Sequence, residues 1–400
     1  MVDGHTPGGV LTIGAVVPRS GRLAKLGEPL GFAVEQARSA LVRVDNGARS
    51  WPTRVASRDS CSEPGTAARA TAELIEDEGA DVVVTLGGTH VLPAVADTCE
   101  SFGTPCVTST FPWQVFYFGR GATRDRPFRW TYHFGWGIDD IAAVFAEMWE
   151  ELGGGLKVGC LWNDGPQGNW SREHFTPVAT GRGHVLVDPA GYGESAQDFS
   201  EHVTAFLDHD VDVVTSAATA EDLALFRQQA AERALAPRLV TCSRWLTYPV
   251  DPRGADDPAA AKIATVVYWT PRHPHRSSLT GTTADELATA YERATGKQWL
   301  QPLGLSHALF EVAAHALATA EDPEDGGSVA AAIARMRLDT VAGTLDWNSG
   351  PVPNVARIPL AGGQWREGEN HPHELVVVAN AQCPHIPRER ALDPLRPHVH

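Results

Sequence analysis

The sequence predicts an α/β protein of two lobes, each a parallel sheet flanked by helices. Three observations carry this. Short apolar runs alternate with amphipathic helical stretches from the N-terminus onward, the signature of βαβ units. The alternation restarts after residue 128. The chain, at 400 residues, exceeds a single typical core.

The elements follow in order. "LTIGAVVP" (11–18) is a continuous apolar run closed by proline, which suits a strand buried on both faces. "SGRLAKLGEPLGFAVEQARSAL" supplies a loop and a helix, and "TRVASRD" (53–59) the second strand. "GTAARATAELIEDEGA" reads as an amphipathic helix stopped at Gly79. "DVVVTLG" (81–87), "HVLPAVADTCESFG" and "PCVTST" (105–110) give strand, helix, strand. "FRWTYHFGWG" (128–137) opens the second series. It continues through the helix "IDDIAAVFAEMWEELGG" and the strands "LKVGCLWND" (156–164), "GHVLVDP" (183–189), "VDVVTSA" (211–217) and "PRLVTCS" (237–243). "KIATVVYWTP" (262–271) is a strand leaving that series. Three helices follow between 283 and 337, and "ARIPLAGGQWREG" with "HELVVVANA" reads as a hairpin. From Gln382 the chain turns Pro-rich and polar, an expected extended tail over 382–400.

Composition narrows function. The net charge of −16 argues against a general nucleic-acid binder or a partner of anionic membrane. No transmembrane run is present. The N-terminus "MVDGHTPGGVLTIG" lacks a basic n-region and an apolar h-region, so it does not read as a signal peptide. Six scattered cysteines form no CxxC pair, against a zinc ribbon or thioredoxin motif. Cys99 and Cys106, on a helix and the strand after it, leave two readings open: a disulfide, or two small buried hydrophobes. GxSxG, HExxH, Walker A and a strand-linked GxGxxG are absent, and no cofactor or metal is expected.

What remains is a set of strand ends, where open parallel sheets bind ligands. Gly87 and Gly88 end one strand and leave room for a ligand to approach the backbone. Thr89 is the expected N-cap of the next helix, whose free N–H groups attract an anion. Phe111 and Trp113 follow the next strand end, inside the aromatic stretch "TSTFPWQVFYFGRG"; core packing is the alternative for these rings. The second series offers Asn163 and Asp164, then Ala218 and Thr219, then Ser243 and Arg244. A guanidinium at a strand end fits bidentate capture of a carboxylate, with a surface ion pair as the alternative.

Four stretches carry a family resemblance: "LTIGAVVPRSGRLAKLGEP", "SRDSCSEP...AARATAELIEDEGADVVV", "LPAVADTCESFGTPCVTST" and "ATGKQWLQPLGLSHALFEVAAHAL". Their order and spacing resemble the leucine/isoleucine/valine-binding-protein family, type I periplasmic binding proteins of ABC importers, over residues 10 to 381. The resemblance implies two lobes that close on a ligand by hinge motion. Lobe 1 would hold 10–132 and 270–337, and lobe 2 would hold 133–269 and 338–381. Crossings would fall near Tyr132–Gly137, Tyr268–Pro271 and Leu338–Gly343. The implied ligand set in the inter-lobe cleft is Leu26, Gly88, Thr89, Phe111, Trp113, Trp136, Asn163, Gln167, Thr219, Ser243 and Arg244. The family's ammonium-gripping acid aligns at Ser243, beside Arg244, and neither is acidic. An unpaired buried ammonium is costly, so a branched-chain amino acid is not the expected ligand. The expectation is a non-catalytic, extracytoplasmic receptor of an ABC importer for a small carboxylate, aromatic in character, with a membrane permease as partner and no nucleic acid. A cytoplasmic amide-sensor-like regulator of the same fold is the alternative.

Overall fold

β1 (Leu11–Val17) is buried along its whole length, as an apolar run with strands on both sides must be. β3 (Ser50–Asp59) pairs with it in parallel on one side and β4 (Val82–Leu86) on the other. The computed structural model describes residues 9–47, 49–245 and 262–395. Within it the chain forms two units. The first is Met1–Gly135 with Trp269–Ile358, and the second is Trp136–Tyr268 with Pro359–His400.

The first unit's sheet runs β14-β6-β5-β4-β1-β3-β2. Here β2 is Arg43–Asp45, β5 is Cys106–Ser109, β6 is Thr131–Gly135 and β14 is Val355–Arg357. All pairings are parallel except the short β2 edge. Helices α1 (Ala24–Ala40), α2 (Pro64–Glu76) and α3 (Val91–Phe102) connect the early strands. The second visit of the chain adds α9 (Ala284–Thr295), α10 (Pro302–Thr319) and α11 (Gly326–Ala334). α9 starts on a reciprocal cap: Glu286 N–H donates to Thr283 Oγ1 at 3.1 Å, and Thr283 N–H donates to Glu286 Oε2 at 2.9 Å. α10 is apolar nearly all round and correspondingly buried from Pro302 to Leu317 apart from His315.

The second unit's sheet runs β16-β15-β11-β10-β9-β7-β8. The strands are β7 (Lys157–Leu161), β8 (Val185–Val187), β9 (Val213–Ser216), β10 (Leu239–Cys242), β11 (Ala264–Val267), β15 (Ala361–Arg366) and β16 (Glu374–Ala379). Its helices are α5 (Ile138–Glu150), α6 (Pro166–Gly181), α7 (Ser200–Asp208) and α8 (Ala220–Glu232). β15 and β16 form the expected antiparallel hairpin at the sheet edge.

Three boundaries differ from the sequence expectation. β6, read as the opening of the second series, is the fifth parallel partner of the first sheet. The third crossing lies at Ile358–Pro359 rather than near Leu338–Gly343. The hairpin β12 (Arg337–Thr340) and β13 (Gly343–Asp346) stays with the first unit, and β14 then pairs with β6. Asn354, at positive φ, fixes this turn by donating to the Phe128 and Thr131 carbonyls. "ARIPLAGGQW" is therefore not one strand: Ile358 N–H still donates to Gly135 O, but Pro359 has no N–H to continue the ladder.

The expected extended tail is also packed, as far as Leu395; its last five residues lie outside the described ones, as do residues 1–8 of the N-terminal reading. Cys383 and Ile386 are buried. Glu389 exchanges hydrogen bonds with the Val377 backbone, and Asp393 takes ion pairs from Arg366 and Lys262. Cys99 and Cys106 are free thiols, close enough to hydrogen-bond, inside the core cluster with Val83, Val91 and Val95. The reading as small buried hydrophobes is the one observed.

Candidate functional site

In the first unit β1 is flanked by β3 and β4, so the chain reverses direction across the sheet there. Such a switch point opens a crevice beyond the carboxyl ends of the strands. The loop after β1 is held down by Asp59, at the end of β3. Its carboxylate accepts the N–H of Arg19 at 2.9 Å, the N–H of Cys61 at 2.8 Å and the hydroxyl of Ser20 at 2.8 Å. Burial pushes this carboxyl's pKa up, and those hydrogen bonds outweigh it and hold it below the ordinary range.

The loop after β4 is the more open. A Cβ on Gly88 would meet the Leu23 methyls at 3.5 Å, so the two loops touch. Thr89 is not the N-cap of α3. The cap position is His90, with no side-chain bond, and the first backbone bond is Leu92 N–H to Gly88 O at 3.2 Å. The amides of residues 88 to 91 thus find no acceptor among the described residues. Leu26, one turn into α1, is half-buried against the same core cluster.

After β5, Thr110 adopts φ +68°, a costly conformation for a β-branched residue. Its Oγ1 accepts the Gly87 N–H at 3.2 Å and donates to Ser109 O at 2.6 Å, which ties the ends of β4 and β5 together. Sequence reasoning quoted this threonine only as strand, since nothing in a sequence marks a left-handed Thr. Phe111 is buried, and its carbonyl accepts from His133 Nε2 at 2.8 Å. That bond requires Nε2 to carry the proton, so Nδ1, 2.8 Å from Thr108 Oγ1, is the acceptor. Burial lowers the His133 pKa to about 3, so the ring is neutral.

The aromatic stretch forms the short helix α4 (Trp113–Tyr117) and packs mostly on itself. Phe116 stacks on His133 at 4.5 Å, Tyr117 meets Phe128 at 5.8 Å, and Trp113 meets Phe118 at 5.8 Å. Arg120 lies 4.0 Å over the Phe128 ring and 4.7 Å from that of Phe116, paired with Asp97. Most of these rings are core. Phe111 and Trp113 are the two nearest the strand end.

In the second unit the switch point lies at β7, flanked by β8 and β9. Asn163 is buried and its Oδ1 accepts the amides of Gly165 at 3.0 Å and Gly168 at 3.1 Å, which fixes the start of α6. Gln167, on the first turn, is half-buried, and its side chain has no partner among the described residues. Thr219 is the N-cap of α8, its Oγ1 accepting Asp222 N–H at 3.1 Å. Ser243 is half-buried, with its N–H on Ser216 O. Trp136 is 4% exposed and stacks on Tyr268 at 4.5 Å, so one face of this ring is occupied within the unit.

Arg244 is not a free cation. Its guanidinium is ion-paired with Glu194 and also donates to Ala217 O at 3.3 Å. Asn163 Nδ2 donates to the same Glu194 oxygen at 2.8 Å. Glu194, from the loop after β8, went unnoticed in the sequence. Glu194 lies 50 residues from Arg244 in the chain and meets it in space. Tyr192, two residues earlier, is 7% exposed, packs on Phe199 at 4.9 Å, and its hydroxyl has no partner among the described residues. Burial first, then the charge of Asp222, raises its pKa, and the charges of Arg244 and Glu194 also act on it.

A family model described as periplasmic binding protein matches residues 10–359. The chain belongs to that family. No curated protein matches the sequence. This periplasmic binding protein is similar in fold to leucine-binding protein LivK of Thermotoga maritima: 16% identity, 93% of this chain and 99% of that one covered, TM-score 0.71. A solute-binding protein of Rhodopseudomonas palustris BisB5, solved with 3,4-dihydroxybenzoic acid, gives 18% identity, coverage of 92% and 96%, and TM-score 0.71. A second R. palustris solute-binding protein, solved with 4-hydroxybenzoate, gives 14% identity, coverage of 92% and 96%, and TM-score 0.70. At these identities the likeness establishes the fold. Among the described residues this periplasmic binding protein has no helix long and apolar enough to cross a membrane, and no acid, His and Cys cluster able to hold a metal.

Proposed function

We propose that the protein is the extracytoplasmic receptor of an ABC importer, binding a small organic carboxylate and handing it to a membrane permease without catalysis. The observation that carries the ligand class is the end of β4. Four consecutive amides, 88 to 91, lack acceptors among the described residues, at a helix start whose dipole favours an anion. Phe111 and Trp113 follow the neighbouring strand end and are buried there, so they would back an aromatic solute only from beneath the loop. The candidate residues of the first unit are Leu26, Gly88 and Thr89; those of the second, taken by itself, are Asn163, Gln167, Thr219, Ser243 and Arg244 at or just after its strand ends, with Trp136 stacked on Tyr268. Structural relatives solved with hydroxylated benzoates support an aromatic carboxylate.

Arg244 is not the carboxylate clamp in this reading, because its charge is already neutralised by Glu194. The test is a thermal-shift and calorimetric panel of aromatic and aliphatic carboxylates, branched-chain amino acids, amides and sugars. A ligand that binds only the folded state raises the melting midpoint by mass action. Carboxylates are expected to bind, and Gly88→Pro, which removes one of the four amides, to weaken them about tenfold or more. Stabilisation by leucine, isoleucine and valine alone would overturn the aromatic, ammonium-free character of the ligand.

A further inference from the structure

Glu311 lies in the middle of α10, is 0% exposed, and has no cation paired with it among the described residues. Polar groups serve its carboxyl instead. Oε1 accepts the Ser278 N–H and the Ser278 hydroxyl at 2.9 Å, Oε2 accepts the Val341 N–H at 3.1 Å, and the Ser277 hydroxyl also bonds the group. One turn earlier on the same helix face, His307 Nε2 stands 2.7 Å from Ser277 Oγ. Ser277 thus bridges two buried titratable side chains. The cover over them is a turn: Ser277 N–H donates to Thr282 O at 2.8 Å, and Gly281 N–H to Ser277 O at 2.9 Å. Ser277 and His307 are buried, while Ser278, Thr280 and Gly281 are exposed. The other titratable groups on the elements packed here are engaged elsewhere. His273 Nδ1 accepts the Thr270 N–H, and Arg276 donates to Gly281 O. His275 lies against Gly343, Arg337 pairs with Asp346, and Asp339 accepts from Thr344.

A neutral chain satisfies all three groups. Glu311 carries a proton and donates it to Ser277 Oγ, Ser277 donates to His307 Nε2, and the ring proton sits on Nδ1. Burial favours this state, raising the Glu311 pKa to about 7 and lowering that of His307 to about 4. We propose that Glu311, Ser277 and His307 form a proton relay, which passes the Glu311 proton to His307 when the 277–282 turn lifts. The steps balance. The Ser277 proton moves to Nε2, the Glu311 proton moves to Ser277 Oγ, and water meets a carboxylate and an imidazolium. Those are the ordinary states of the two groups in water between about pH 4.5 and 6.5. No proton enters or leaves, so lifting of the turn is independent of pH over that range. The relay lies wholly within the first unit and does not rest on the solute reading.

The experiment is hydrogen exchange of the full chain read by mass spectrometry. It follows the peptide 277–284, with rates divided by the intrinsic ones, between about pH 5 and 6.5. Each amide from 277 to 284 is hydrogen-bonded, so exchange there reports lifting of the turn. In the wild type the opening constant is expected to stay level across the range. Glu311→Gln leaves His307 to take its proton from water on opening, so the constant should fall about tenfold per pH unit. His307→Gln leaves Glu311 to release its proton to water, so the constant should rise about tenfold per pH unit. Both replacements are neutral and close in size to the groups they replace. A slope in the wild type, or a level response in whichever single variant folds, overturns the proposal. So does a turn that exchanges no faster than α10, which would mean that it opens only with the whole fold.

Discussion

His133 and Glu311 are buried titratable groups with opposite consequences for stability. The His133 pKa falls to about 3 and that of His307, whose Nε2 bonds Ser277 at 2.7 Å, to about 4, both through burial. Each is neutral in the fold, so its contribution is complete above the ordinary value near 6.5 and is lost as pH falls toward those values. Glu311 is raised to about 7 by burial, against hydrogen bonds from Ser278 and Val341. Its contribution is complete below the unfolded carboxyl value and is lost as pH rises through 7. Two histidines oppose one glutamate, so these groups together make stability rise with pH between about 4.5 and 6.5. Denaturant titrations at several pH values should show this, and His133→Asn should flatten the slope by about 1 kcal/mol per pH unit. An unchanged slope would refute the role of His133. Gly168 gives a second residue-scale expectation. A Cβ there would stand 1.9 Å from the Asn163 carbonyl oxygen and 2.7 Å from the Oδ1 that caps α6. Gly168→Ala should cost about 2 kcal/mol or more, read from chemical denaturation.

At the scale of elements, α4 separates what the sequence showed from what it hid. The aromatic concentration was legible, and so was its place after a strand. Its assignment was not, because rings that line a ligand face and rings that fill a core have the same composition. Phe116 stacked on His133 with Arg120 over it is packing. Phe116→Ala should therefore cost about 3–5 kcal/mol of stability, measured by chemical denaturation. A loss of solute affinity with stability kept would contradict this. The strands and helices themselves were readable from apolar runs and helical spacing. Gly88 and Thr89 were singled out only by their place at a strand end. Glu194 was missed because its loop has no motif and its partners, Asn163 and Arg244, come from separate strand ends. The cap of α3 and the left-handed Thr110 were likewise invisible, being backbone facts.

At the scale of the whole molecule, the last boundary between the units falls at Ile358–Pro359 and not near Leu338–Gly343, since a three-residue strand such as β14 carries too little pattern to be read from sequence. The last described residues are part of the second unit rather than a tail. Deleting everything after Ala381 removes buried Cys383 and Ile386 and the Asp393 ion pairs. Burial of the isoleucine alone is worth about 1.5–3 kcal/mol, so the truncated chain should melt several degrees lower. An unaltered melting curve would mean that this packing contributes nothing. The three crossings also order events during synthesis. The first unit lacks α10 until the chain passes Thr319 and β14 until it passes Arg357, and the second unit, begun at Trp136, lacks its β15–β16 edge until still later. At ribosomal speeds, a half-built sheet with an open edge persists for tens of seconds. Over that interval each unit leaves sheet edge unpaired, and neither is complete before most of the other has been made.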